Sequence, residues 1–403
     1  MSAGRRLLVT TIAAREGGVP TMLRFALDVA RRRGWAPHLA YYEPYSQSPE
    51  LSVPAICLGR RRVGTRQESG IDQCPATALG AWLPELEFTH YLPTREWQQL
   101  IDGHDAHLVV SGTAIAATAL AKLRRSFVAW IATDLDGDRA DRVDGFHWSR
   151  RWLDALVNRH VLRRIEREVL RSGHVLALSE HTRGMLNSRA GASVVRDVLP
   201  CPVDTQLFAP RAGGVIPGRI GFSGRLDDPR KNLGLLLDAF QIIAARRPEA
   251  RLHLIGHRPG SPVQGWVEQR GLADKVTLHP FLPRGALGEL LATMDVYVVP
   301  SRQEGLCIAA LEAMACGVPV VSTRCGGPSE FVLPGRTGEL VDFEAPAMAR
   351  AITRIIDDRG RRESQGREAR QLILDRYSQA AAELILGRAM DQVFPQFIRS
   401  SHA

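Results

Sequence analysis

From end to end, short apolar runs of strand length alternate with stretches of helical period. In the first half "LLVTTIA" precedes "PTMLRFALDVARRRG", and "HLAYY", "HLVVSG", "SFVAWIA" and "HVLALSE" follow. In the second half "RIGFSG", "RLHLIG", "VTLHPF", "VYVVPS" and "PVVST" are each separated by helical patterns. Among these, Leu233, Leu236, Leu237, Phe240, Ile243 and Ala244 recur at helical spacing. Continuous apolar strands alternating with helices imply parallel sheets covered on both faces. Two such sets predict an α/β chain of two doubly wound Rossmann-like domains facing each other across a cleft. The joint is expected in "LPCPVDTQLFAPRAGGVIPG", which is rich in proline and glycine and lacks periodicity. The predicted domains are 1–203, joined by about 385–403, and 204–384. A length of 403 residues suits two or three domains.

Composition narrows the function classes. Charged residues make up 24% and hydrophobic residues 45%, as in ordinary globular proteins. The net charge of +9 comes almost wholly from arginine, and lysine occurs only at Lys122, Lys231 and Lys275. The excess leans to the first half, with runs at Arg31–Arg33, Arg60–Arg62 and from Arg150 to Arg171. Such a face is either a solvated surface or a contact for an anionic membrane or acidic glycan. No aromatic stacking motif or zinc-finger spacing accompanies it, so nucleic acid is not an expected partner. Six cysteines form no CxxC pair and read as free buried thiols of a reducing cytoplasm. The N-terminal "MSAGRRLLVTTIAAREGG" has the outline of a signal peptide, but its apolar core is short and interrupted. A first strand is the expectation there. No apolar stretch reaches the ~20 residues of a membrane span. The expected location is the cytoplasm, with peripheral contact at the inner face of the membrane.

Three stretches of the second half carry chemistry. In "GFSGRLDDPRKN" a strand ends at Gly224, and Arg225 and Lys231 stand beside an expected helix start at Asn232. Fixed positive charge near free backbone N–H groups suits a diphosphate, and a solvated loop is the plain alternative. In "VVPSRQEGLCIAALEAMACGVPVVS" Glu304 is expected in the loop after a buried strand. The helix should begin near Cys307 or Ile308, placing Glu312 one turn inside it. If all intervening residues were helical, the two carboxylates would stand about 12 Å and 80° apart. They are therefore read as clamps on two parts of one extended ligand rather than a paired acid and base. Gly305 permits close approach to the backbone, and the helix N-terminus favours an anion between them. In "STRCGGPSE" a glycine pair again permits close backbone approach. Gly17 and Gly18 in "REGGVPT" are its counterpart after the first strand.

These motifs resemble the retaining glycosyltransferases of family 4, which have two-Rossmann (GT-B) architecture. The resemblance is strong over residues 173–342 and fainter before. It is carried by "SGRLDDPRKNLGLLLDAF", "VVPSRQEGLCIAALEAMACGVPVVS" and "GGPSEFV". The family motif is Glu, seven residues, Glu, and Glu304 and Glu312 match it. The resemblance implies that Glu304 contacts the donor sugar and Glu312 the ribose hydroxyls. It implies that Arg225 and Lys231 bind the diphosphate and, with Glu304, form the catalytic set. It places Gly18, Gly224, Gly305, Leu306 and Cys307 in the donor site. The final helix, "YSQAAAELILGRAMDQVF", would cross back to the first domain. The co-substrate would be a nucleotide diphosphate sugar, with no other cofactor and no metal, and the acceptor a glycan or a lipid-linked glycan.

One departure stands out. Members often carry a histidine after a first-domain strand, and Ala132 or Thr133 occupies that place here. Gly17, Thr133 and Asp134 are the acceptor-side candidates. Asp134, Asp136 and Asp138 do not form an EF-hand, because Arg139 stands where glycine is required. Loop polarity or acceptor contact is the expectation for them. A nucleotide-sugar epimerase, a phosphorylase on the same fold, and a non-catalytic nucleotide-binding relative are the alternatives. A phosphorylase would need a pyridoxal phosphate lysine, and only Lys231 lies near the expected site.

Overall fold

The computed structural model describes residues 5–12, 18–139, 157–211 and 213–397. The chain forms two compact units, Met1–Pro200 with Glu383–Ala403, and Cys201–Ala382. The second division falls inside the helix Gln379–Val393.

The strands of the first unit are β1 (Arg5–Thr10), β2 (Trp35–Tyr42), β3 (Thr65–Ser69), β4 (Pro75–Leu79), β5 (Ala106–Ser111), β6 (Val128–Ile131), β7 (His174–Ala177) and β8 (Val195–Val198). They lie in the order β3-β4-β2-β1-β5-β6-β7-β8. All adjacent pairs are parallel except β3–β4, which is antiparallel. The parallel sheet read from the sequence is present, with one antiparallel edge strand, β3, that was not read. The β3 stretch TRQES is polar and edge-placed, so it lacks the buried apolar run that marks a parallel strand. The core of this unit gathers Leu8, Val109, Phe127, Ile131, Leu162, Val169 and Val175 against helices on the sheet faces.

The second unit holds β9 (Arg219–Ser223), β10 (Arg251–Ile255), β11 (Val276–His279), β12 (Val296–Val299), β13 (Val320–Thr323) and β14 (Gly338–Val341). Their order is β11-β10-β9-β12-β13-β14, all parallel. The helix Leu233–Arg246 buries all six apolar residues of its periodic face. The reversal of strand order at β9 and β12 is the switch point where such folds open a ligand crevice at their carboxyl ends. Two loops leave the sheet there, after β9 and after β12. They are tied by Tyr297, whose fully buried hydroxyl accepts from Ser223 N at 3.0 Å and donates to Ser223 O at 3.1 Å.

Among the described residues no helix is long and apolar enough to cross a membrane. All six cysteines are free. Four are buried, whereas Cys57 and Cys307 are half-exposed, which corrects the expectation of uniformly buried thiols.

Candidate active site

The loop after β9 turns at Gly224, whose φ of 151° suits glycine, and continues through a short 3₁₀ turn, Pro229–Lys231. The Asp228 carboxylate caps this turn by accepting from Arg230 N at 3.0 Å. Asn232 follows with a left-handed φ of 50°. Its side chain does not cap the helix Leu233–Arg246 but donates to Pro300 O at 3.2 Å. A second tie runs from Arg302 N to Arg230 O at 2.7 Å. The loops after β9 and β12 are thus stitched backbone to backbone.

The stitching sets Lys231 against Glu304, Nζ to Oε1 at 2.7 Å, with both side chains largely buried. The buried Ser301 hydroxyl donates to the same carboxylate at 2.6 Å. Burial pulls the Lys231 ammonium down, but Glu304 beside it more than offsets this and leaves its pKa raised. The lysine therefore stays cationic. An ammonium has three donors, so the pair leaves capacity for an incoming anion. Arg225 is half-exposed and bonds Asp228 at 2.8 Å. The sequence reading took Arg225 and Lys231 as fixed positive charge for a diphosphate, and the structure pairs each with a carboxylate.

Glu304 is held from the other side by the loop after β13. Glu304 N donates to Cys325 O at 2.7 Å, and Gly327 N donates to Glu304 O at 3.0 Å. A Cβ on Gly327 would lie 2.2 Å from Gly305 O. The close backbone approach read from the glycine pair of "STRCGGPSE" is that of one protein loop to another. Gly326, at φ 105°, supplies the turn. The helix Ile308–Ala315 then begins after Cys307, a non-glycine residue at φ 69°. Such strain costs about 1–3 kcal/mol and persists where the surroundings dictate it. The Leu306 side chain is buried, so only its backbone can face a ligand.

Glu312 lies in the first turn and a half of that helix and is 8% exposed. Burial pushes its carboxyl up to about 7, against the pull of Arg284. The Arg284 guanidinium, at 3.6 Å, stands over the Phe208 ring. Glu304 and Glu312 therefore have separate cationic partners, Lys231 and Arg284. Arg284, Ser301 and Asp228 were missed in the sequence. Arg284 meets a partner 28 residues away. Ser301 and Asp228, though only two or three residues from their partners, sit in loops with no regular period to show which side chains turn together.

In the first unit Gly18 is exposed at the start of the helix Gly18–Arg32, and Gly17 lies outside the described residues. Thr133 follows β6, its N–H on Gly112 O at 2.8 Å. Asp134 is buried, accepting from Gly137 N at 2.9 Å and pairing with Arg189 at 3.2 Å. Arg189 also meets Asp136 and the fully buried Glu166. These aspartates face arginines, and no group of three or more metal-ligating side chains is found among the described residues.

The chain is similar along 98% of its length to all of the sucrose-phosphate synthase of Thermosynechococcus elongatus, with TM-score 0.71 and 20% identity. That likeness defines the class of fold as the two-Rossmann (GT-B) architecture. The description "Glycosyl transferases group 1" matches residues 217–372, which contain both loops and both glutamates. Over 315 residues the chain is 31% identical to the GDP-mannose-dependent alpha-(1-6)-phosphatidylinositol monomannoside mannosyltransferase of Mycolicibacterium smegmatis. That match covers 72% of this chain and 79% of the relative. A D-inositol 3-phosphate glycosyltransferase of Paenarthrobacter aurescens is 38% identical over 200 residues, 46% of this chain and about half (49%) of that protein. The chain belongs to the group 1 glycosyl transferase family and is a glycosyltransferase.

Proposed function

We propose that this enzyme moves a hexose from a nucleotide diphosphate sugar to an acceptor hydroxyl with retention of anomeric configuration and without a metal. The observation that carries the reading is the Lys231–Glu304 pair at the carboxyl edge of the second sheet, with Glu312 buried a short way into the following helix. Lys231, Arg225 and the N-terminus of the helix Ile308–Ala315 would receive the diphosphate. Glu304 would accept from the sugar hydroxyls and Glu312 from the ribose. In this account the second unit holds the donor and the first the acceptor, with Thr133 and Asp134 on the acceptor side.

No side chain acts as nucleophile. As the bond from the anomeric carbon to the diphosphate oxygen breaks, the leaving oxygen takes the proton of the acceptor hydroxyl. That hydroxyl attacks the same face of an oxocarbenium-like carbon. Charge would grow on the leaving diphosphate, where Lys231 and the helix N–H groups would stabilise it. We infer GDP-mannose as the donor, because the M. smegmatis relative is named for it. A glycan or lipid-linked acceptor of the cell envelope fits the same relative, named for a phosphatidylinositol mannoside.

Calorimetric titration with GDP, UDP and ADP, beside Glu312→Ala, tests the site. Tight binding of GDP alone, lost in the variant, is the expected result. Absence of binding by any of the three would remove the donor-site assignment, and preference for UDP would remove the choice of donor.

A further inference from the structure

Between β2 and β3 the first unit sends out a loop whose base is firmly pinned. Leu51, Val53 and Val63 are buried there. Gly64 N donates to Leu51 O at 2.8 Å, Val53 N to Ala81 O at 2.9 Å, and Leu83 N to Val53 O at 2.8 Å. Its tip is the opposite in character. A single 3₁₀ turn, Ala55–Cys57, holds out Ile56 at 85% exposure and Leu58 at 49%. Trp82, bridged to Val53 at the base, is also exposed. Arg60, Arg61 and Arg62 follow immediately, all exposed. Arg61 spends its guanidinium on the backbone of Pro49 and Glu50. Arg60 and Arg62 have no ion-pair partner among the described residues. Of the acids around the loop, Glu85 accepts from Ala55 N at 3.2 Å and Glu50 pairs with Arg66.

A tip of exposed aliphatic side chains is not a groove for a small ligand, and nothing among the described residues of its own unit covers it. Two bulky aliphatics ahead of three arginines, with a tryptophan at the base, match a phospholipid interface. Acyl chains accept the aliphatics, lipid phosphates the guanidinium groups, and the headgroup level the indole. The arginine run gives the charge complementarity that selects an anionic surface. We propose that the Ala55–Arg62 loop docks this unit on an anionic phospholipid bilayer. The docking rests on this loop and not on the transferase reading. Its consequence for catalysis does rest on it: the loop leaves from the carboxyl end of β2, the sheet edge where α/β folds bind ligands. An acceptor seated along that edge would lie at headgroup depth.

The test is co-sedimentation of the full chain with vesicles of phosphatidylcholine alone or mixed equally with phosphatidylglycerol, without donor or acceptor. Binding is expected to the anionic vesicles only. The double variant R60Q/R62Q should weaken it by roughly 30-fold, about fivefold per arginine. The double variant I56S/L58S should weaken it by on the order of tenfold or more. All four positions are exposed, and GDP titration of each variant reports the donor site independently. A failure of vesicle binding with GDP binding intact overturns the docking alone. Equal binding by the variants, or equal binding to neutral vesicles, overturns it as well. So does conversion of a dimer to a monomer by I56S/L58S, which would make the tip a contact between copies of the chain.

Discussion

Replacing Glu312 with glutamine should stabilise the ligand-free protein at alkaline pH while impairing nucleotide binding. The carboxyl is held near 7 in the fold against an ordinary value of 4.5. In the folded state it keeps its proton where the unfolded chain has already lost it. Its contribution is therefore most favourable below about pH 4.5 and is lost as pH rises to about 7. The gap corresponds to about 3 kcal/mol at pH 8. Glutamine keeps the shape and does not titrate, so the variant escapes this loss. For a unit of this size the difference amounts to roughly 6–12 °C in Tm at pH 8, shrinking towards zero near pH 5. Differential scanning calorimetry of both proteins from pH 5 to 8 reads it directly. Glu166, also pushed up to about 7 by burial, contributes a slope of the same sign, but it is common to both proteins and cancels in the difference. A difference in Tm that stays flat across this range would refute the argument that an ionised Glu312 is carried at a cost in the empty site.

Other expectations concern neighbouring residues. Lys231→Ala should lower turnover by about 10²–10³-fold, the usual effect of deleting one preorganised donor to developing charge, as steady-state kinetics would show. Arg284→Ala removes the cation facing Glu312, so its carboxyl should titrate higher still; the loss of stability should grow above pH 7 and be small at pH 5, as measured by thermal melts. Gly327→Ala should cost about 1–3 kcal/mol and weaken GDP binding together, because the added methyl meets Gly305 O at 2.2 Å and displaces the Glu304 loop. Intact binding with lost stability would detach that loop from the donor site.

Apolar runs told most about the fold. The stretches containing β1, β5, β9, β12 and β13 are buried strands, and the periodic face of Leu233–Arg246 is buried entire. Segments without a long apolar run went unread: β3 is polar, β4 begins at a proline within small residues, and β8 alternates as VRDV. In the site, Glu312 was legible because a carboxylate inside "ALEAMACG" has no ordinary surface role, and Glu304 because it precedes Gly305 in the loop after a buried strand. Their partners were not, since the meeting of Arg284 with Glu312 and of Lys231 with Glu304 depends on how strands are ordered. The "GG" of the β13 loop announced a close approach without saying of what. Likewise Asp134 read as loop polarity or acceptor contact, and only the fold brings Arg189 to it.

The stitching of the two loops in the second unit has a kinetic consequence. Asn232 on Pro300, Arg302 on Arg230 and Lys231 on Glu304 hold the proposed anion seat together through contacts within the protein itself. Association of a nucleoside diphosphate with this seat then needs no loop rearrangement in that unit, so its observed rate should rise linearly with concentration, without a plateau, in stopped-flow.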